Sequence, residues 1–344
     1  MEEVLKKLVR KEDLTREEAE SSMRFIMSGK ASDEQIQVFL LGLKEKGETV
    51  TEISAFARIL REFAVKVNPK PRQDPRLKTQ YPLVDTCGSG GDGIKTFNIS
   101  TVAAFVAAGA GIPIAKHGNR AVSSKSGSAD VLEKLGVKID LDARGVERCI
   151  EKAGIGFMFA PQFHGAMKHV AAVRKRLATR TVFNLLGPLI SPAGVKHQVY
   201  GIYDPELTEK LAGVLRELGS RHALVVHGVG GLDELSTLGK TKVTELHNEK
   251  ITTYHTVPAQ FGLKTADPEQ LAGSDPQENA CTLMHILGGE MGPRRDIVVL
   301  NAAAAIYVAG AADTIKHAIP IAEESIDSGR ALRKLNDLIE VSNA

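Results

Sequence analysis

At Asn68 the chain changes its pattern. The stretch from Asn68 to Pro82 reads NPKPRQDPRLKTQYP, with four prolines and no apolar period. Proline lacks an amide hydrogen and clashes inside a helix, so this stretch reads as a linker or hinge. Residues 1–67, before it, read as helices. Thr15 with Glu18 and Ser32 with Gln35 have capping-box spacing, Thr51 can cap EISAFARILREFA, and Ile53, Phe56, Leu60 and Phe63 recur at helical intervals. From residue 83 onward short apolar runs alternate with helical stretches. LVDTC, IPIAKH, HQVYGIY, HALVVHG and DIVVLN read as strands, and TVAAFVAAGA, SADVLEKLG, ARGVERCIEKAG, PELTEKLAGVLRELG and NAAAAIYVAGA as helices. The expected fold is therefore α/β plus all-α: a small helical domain over 1–67, a linker over 68–82 and a larger α/β domain over 83–344 with a mostly parallel central sheet. A ligand of such a sheet belongs beyond the carboxyl ends of its strands.

Charge limits the partners. A net charge of +2 over 344 residues is too mild for a nucleic-acid surface, so an anionic ligand must be held by local groups. Cys87, Cys149 and Cys281 lie far apart, with neither metal spacing nor a disulfide framework, which suits a reduced, cytoplasmic setting. MEEVLKKLVRKEDL lacks the apolar core of a signal peptide, and the sequence holds no apolar span of about 20 residues, so no membrane association is expected.

Two loops carry the chemistry. The first, LVDTCGSGGDGIKTFNIST (Leu83 to Thr101), brings a strand into glycines and then into a Ser-Thr pair opening a helix. It fits GxGxxG, but a dinucleotide fold starts its helix within the glycines and ends the next strand in an acid. Here IKTFN intervenes and the next strand ends in Lys116 and His117. It also approaches a phosphate-binding Walker A loop, but Ile94 stands at the lysine position and Lys95 comes one residue late. A plain turn is the bland alternative. Asn98, Ser100 and Thr101 argue against it, since they follow at a helix start where amides favour anions. The second loop, KHGNRAVSSKSGSADVLEKLG (Lys116 to Gly136), gathers cations and hydroxyls with no acid before Asp130, as a polyanion site would.

These two loops, with FHGAMKHVAAVRKRLATRTVFNLLGPL from Phe163 and VVHGVGGLDELS from Val225, resemble anthranilate phosphoribosyltransferases over essentially the whole chain. The resemblance implies transfer of a phosphoribosyl group from phosphoribosyl pyrophosphate to anthranilate in tryptophan biosynthesis, with Mg2+ and as a homodimer. It also implies a nucleoside-phosphorylase-like fold in which a segment around 165–190 joins the helical domain. For the donor it implies Gly88, Gly91, Asp92, Thr96, Asn98, Ile99, Ser100 and Thr101, then Lys116, His117, Gly118, Asn119, Arg120, Ala121, Val122, Ser123, Ser124 and Ser128. For anthranilate it implies Gly88, Asn119, His164 and Arg174, with His117 as a candidate proton acceptor. For magnesium it implies Ser100, Asp233 and Glu234.

Those residue types suit the task. Glycines let backbone approach phosphate, a planar guanidinium matches a carboxylate, and hard carboxylate oxygens suit magnesium. An isolated Asp-Glu pair is otherwise a solvated turn, and Arg174 otherwise one cation of a basic helix. The sequence departs from the family at Ser89, where threonine is usual, at Gly165, where proline is common, and at Ala178, where glycine is common. A nucleoside phosphorylase on the same fold would need base-binding residues that KHGNR and Arg174 do not supply. A non-enzymatic nucleic-acid-binding paralogue would carry a basic surface and degraded loops.

Overall fold

The computed structural model describes residues 1–70, 80–90, 94–121 and 125–344. Four helices come first: α1 (Glu2–Val9), α2 (Arg16–Met27), α3 (Asp33–Lys46) and α4 (Val50–Phe63). The Thr15–Glu18 and Ser32–Gln35 capping boxes form as read. The third cap falls elsewhere. Thr49, not Thr51, caps α4, accepting the Glu52 amide on Oγ1 while Glu52 accepts the Thr49 amide at 2.8 Å. Glu52 is buried and also accepts from Leu14 N and Lys46 Nζ, each at 2.9 Å. Long-range partners of this carboxylate therefore fix where the helix starts, and local sequence does not show them.

Strands β1 (Val84–Gly88), β2 (Ile114–Gly118), β3 (Ile155–Phe159), β4 (His197–Gly201), β5 (His222–Gly228), β6 (Thr241–His247) and β7 (Lys250–Thr256) form one sheet in the order β3-β2-β1-β4-β5-β6-β7. The first five are parallel, and β6 and β7 add an antiparallel edge. Helix α5 (Ile99–Gly109) links β1 to β2, and α6 (Ser128–Lys134) with α7 (Ala143–Ala153) links β2 to β3. Helices α8 (Ala160–Phe163), α9 (Lys168–Leu177) and α10 (Phe183–Leu186) lead to β4, and α11 (Thr208–Glu217) leads to β5. After the β6–β7 hairpin come α12 (Pro276–Leu287), α13 (Pro293–Val308), α14 (Ile315–Asp327) and α15 (Arg330–Asn343).

The run DIVVLN is helical, contrary to the strand expected there. Pro293 sits in the first turn of α13, and Asn301 Nδ2 donates back to Ile297 O at 2.9 Å. Every residue from Ile297 to Ile306 is buried. A helix apolar on all sides looks locally like a buried strand.

The sheet is covered on both faces. Leu224 and Val226 pack with α5 and α13, while Ala223 and Val225, one step along the pleat, join Tyr200 in a core with Met23, Phe39 and Phe56. Val170 and Val173 of α9 and Phe183 and Leu186 of α10 lie in that second core. The chain runs outward from β1 to β3 and then returns to β4 on the other side of β1. That reversal opens a crevice at the carboxyl ends of β1 and β4.

Candidate active site

Gly88 and Gly201 lie side by side at those two carboxyl ends. Their bareness is required. A side chain on Gly88 would strike the Asp233 carboxylate, and one on Gly201 would strike the Asp233 carbonyl. Asp233 Oδ2 accepts the Gly90 amide at 2.8 Å, and Glu234 Oε1 accepts the Ser100 amide at 3.0 Å. The acidic loop is held from below by Asn301, whose side-chain amide exchanges two bonds with the Leu235 backbone, at 2.9 and 3.0 Å.

Lys116 is buried at the end of β2. Its Nζ donates to Thr86 O at 2.5 Å and to Ser100 Oγ at 3.2 Å. Burial lowers its pKa, and Asp85, Cys87, Glu234 and Asp233 oppose that. Asp85, also fully buried, is pushed up to about 6 by desolvation, against the pull of Lys116, and accepts the His117 amide at 3.1 Å. Ser100 is thus met by Lys116 on its hydroxyl and by Glu234 on its amide, which brings the three expected metal residues to one place.

The start of α5 differs from the open anion site expected of it. The Ile99 amide donates to Phe97 O at 2.7 Å and the Thr101 amide to Asn98 O at 3.1 Å, while Glu234 takes the Ser100 amide. Ile99 and Thr101 are buried. The helix start already holds a protein carboxylate. Asn98 ties the two loops together, donating to Ser126 O at 3.1 Å and accepting from Ser126 Oγ at 3.2 Å and Asn279 Nδ2 at 3.1 Å. Thr96 forms a bridge with Ala272 beneath the first loop.

In the second loop, Asp130 Oδ2 accepts both the Ala121 and the Gly127 amides at 2.9 Å. The Arg120 guanidinium, expected to meet the donor, is held by Asp130 at 3.0 Å and by Glu133 at 2.9 and 3.0 Å. It braces the loop against α6. Asn119 O accepts Ser128 Oγ at 3.3 Å, and a side chain on Gly118 would collide with that hydroxyl. Gly91, Asp92, Val122, Ser123 and Ser124 lie outside the described residues.

A second group of side chains begins at His117, next to Lys116 on β2. His117 Nδ1 lies 3.2 Å from Gly187 O, and since a carbonyl only accepts, Nδ1 carries the hydrogen. His117 Nε2 and His164 Nε2 are both buried and unpartnered, on rings 5.0 Å apart. Burial, with a smaller push from His164, depresses His117 to about 3, and burial depresses His164 to about 4. Both rings are neutral at pH 7. Arg174 packs over Phe183 at 5.2 Å, desolvated and without a carboxylate partner among the described residues. Phe183 opens α10 and Gly187 caps it, so Arg174 packs on the first residue of a one-turn helix and His117 bonds its cap.

Several participants escaped the sequence reading: Asp85, Gly201, Asn301 and the Phe183–Gly187 turn. A faint signal existed for three. Asp85 is an acid inside an apolar strand, Gly201 interrupts one, and Asn301 is a polar residue beside alanines.

Comparison with known proteins follows the same division. Residues 2–64 match the family model described as "Glycosyl transferase family, helical bundle domain", and residues 80–332 match its a/b domain. A protein of Acetivibrio thermocellus named anthranilate phosphoribosyltransferase is 49% identical, covering 100% of this chain and 97% of that protein. The crystal structure of the Thermus thermophilus anthranilate phosphoribosyltransferase superposes with a TM-score of 0.91 at 42% identity, over 99% of each chain. The Saccharomyces cerevisiae enzyme, solved in complex with phosphoribosyl pyrophosphate and magnesium, gives 0.88 at 31% identity over 99% of this chain and 97% of its own. This chain belongs to the anthranilate phosphoribosyltransferase family.

Proposed function

We infer that the chain transfers the phosphoribosyl group of 5-phosphoribosyl 1-pyrophosphate to the amine of anthranilate, releasing pyrophosphate, as a step of tryptophan biosynthesis. The observation that carries this reading is a pair of neighbouring side-chain groups that meet at Lys116 and His117. One has carboxylates, a buried lysine and glycine-bared backbone. The other sets Arg174 over Phe183 and His117 on Gly187 at the start and end of one short helix, with the neutral His164 beside His117.

Asp233 and Glu234 stand where an anionic donor would lie, and like charges repel. Ser100, Asp233 and Glu234 supply the hard oxygens that would hold Mg2+, whose charge would offset that repulsion. When bound, magnesium neutralises charge on the leaving pyrophosphate. Lys116 adds a positive charge under Ser100, and Gly90 lets backbone approach the phosphates.

Arg174 takes the acceptor carboxylate and turns the amine toward His117 and His164. An aryl amine is neutral at pH 7 and needs no prior deprotonation. His117, with its conjugate acid near 3, is a hydrogen-bond acceptor and not a strong base. Its Nε2 holds an amine N–H and so aims the nitrogen lone pair at the anomeric carbon as the C–O bond breaks. We place the helical domain at 1–67 with 165–190, which share a core, the hinge at 68–82 and the α/β domain at 83–344. We expect a homodimer, testable by light scattering.

The deciding assay follows anthranilate fluorescence on adding phosphoribosyl pyrophosphate and magnesium. Loss of fluorescence matched by released pyrophosphate is expected. Unchanged fluorescence, with phosphorolysis of nucleosides instead, would replace this reading by the phosphorylase one.

A further inference from the structure

The opposite end of the sheet carries a second constellation. His222 opens β5, and Glu245 and His247 end β6. Residues 245 and 247, two apart on a strand, share one face, and His222 pairs directly across from His247. One nitrogen or oxygen from each of the three lies within 4.8 Å of the other two. His222 Nε2 and Glu245 Oε1 are 2.8 Å apart, and the His222 and His247 rings stack at 4.2 Å.

The carboxylate is oriented from outside this trio. Tyr307 donates to Glu245 Oε1 at 2.6 Å and Tyr254 to Oε2 at 3.0 Å. Phenols in that position are how metal sites aim a carboxylate ligand. The hairpin end is also pinned, since Asn248 N donates to Arg221 O at 2.9 Å. His222 and His247 line a cavity of about 810 Å3 with His197 and Arg221, so the cluster is reached from solvent.

We propose that His222, Glu245 and His247 bind one divalent cation of the zinc class at the amino end of the sheet. Two imidazoles and one carboxylate make a zinc, cobalt or nickel donor set and not a magnesium one. The ion takes the place of the hydrogen shared by His222 and Glu245. His222 then keeps its ring hydrogen on Nδ1, and the exposed His247 tilts inward as third ligand. The fourth position faces the cavity and holds water. Six residues of β5 separate His222 from Gly228, roughly 20 Å, so this site is distinct from the phosphoribosyl pocket. The bound ion staples β5 to β6.

The test is cobalt titration of the full-length protein in excess magnesium, which occupies the oxygen-only site at Asp233 and Glu234. Wild type should develop the visible absorption of a low-coordinate cobalt centre at one equivalent, reversed by zinc, and zinc should raise its melting temperature. His247→Ala, at an exposed position, should retain the circular dichroism spectrum and phosphoribosyl transfer but lose zinc affinity by about 100-fold or more, and Tyr307→Phe should lose about 10-fold. Absence of a cobalt spectrum in wild type would overturn the proposal. So would equal zinc affinity in wild type, His247→Ala and His222→Gln.

Discussion

Asp233 Oδ2 accepts the Gly90 amide at 2.8 Å, joining the acidic loop after β5 to the glycine loop after β1. The same side chain lies in the space left by Gly88, and its backbone carbonyl in the space left by Gly201. Three glycines and one aspartate thus form a single mechanical unit at the topological switch. The glycine loop is shaped by a carboxylate proposed above to help hold magnesium, so perturbing either partner should be felt at the other.

Gly88→Ala tests that unit with one methyl group. The methyl meets Asp233, which must shift away from Gly90 and from the magnesium position proposed for it. Overpacking of this kind costs about 1–3 kcal/mol, or roughly 5- to 150-fold. The loss should appear in magnesium-dependent donor affinity by calorimetry, with circular dichroism unchanged. Wild-type donor affinity in the variant would show that Asp233 moves without consequence.

Arg174→Ala should act on the other substrate. A charge-assisted contact to the anthranilate carboxylate is worth about 1.5–3 kcal/mol, so the anthranilate KM should rise roughly 10- to 150-fold while the donor KM stays put. Arg174→Lys should recover only part of this, since an ammonium cannot present a planar fork over Phe183. Equal loss for both substrates would place Arg174 in domain closure instead.

What could be read beforehand depended on whether the relevant partner was close in sequence. Capping boxes at Thr15 and Ser32 span three residues and were legible. So were the strand-end positions of the glycine loop and of Lys116 and His117, because a strand announces itself by its own short apolar run. The β6–β7 hairpin was not, since Lys250–Thr256 is an edge strand exposed along most of its length and lacks an apolar face to betray it. Glu234 reaches Ser100 across 134 residues, and no local signal could show that the helix start was already capped by an acid. The family resemblance implies Arg120 as a donor ligand, in a stretch with no acid before Asp130. Its partners Asp130 and Glu133 lie on α6, directly after that stretch.

Ala178 links a sequence departure to a cost. It closes α9 with φ 46° and ψ 31°, and its amide donates to Arg174 O at 3.2 Å. A side chain in the left-handed region costs about 1–2 kcal/mol, of which glycine's greater chain entropy would return about 0.5–1. Ala178→Gly should therefore stabilise by about 0.5–1 kcal/mol and raise the melting temperature by about 1–3 °C. Because this cap terminates the helix that carries Arg174, anthranilate KM should be followed in the same protein. A lowered melting temperature would contradict the left-handed cap.

The buried titratable groups predict an acid-sensitive fold, with signs that can be separated. His117 and His164 are held by burial at about 3 and 4, below the unfolded value of about 6.5. Between about pH 4 and 6.5 the unfolded chain binds protons that the folded one refuses, so stability rises with pH by about 1.4 kcal/mol per unit for each ring. That stability is complete above 6.5 and is lost on acidification. Asp85 works oppositely. Burial raises it to about 6, so between about pH 4 and 6 the folded chain keeps a proton that the unfolded one has released, and stability falls with rising pH at a similar slope. Two rings against one carboxyl leave a net gain of about 1.4 kcal/mol per unit over that window. His164→Gln should nearly flatten the dependence, and Asp85→Asn should roughly double it. Urea unfolding at several pH values between about 4.5 and 6 measures each slope, independently of any overall loss of stability in the variants. Wild-type slopes in both variants would mean that neither group titrates as its burial requires.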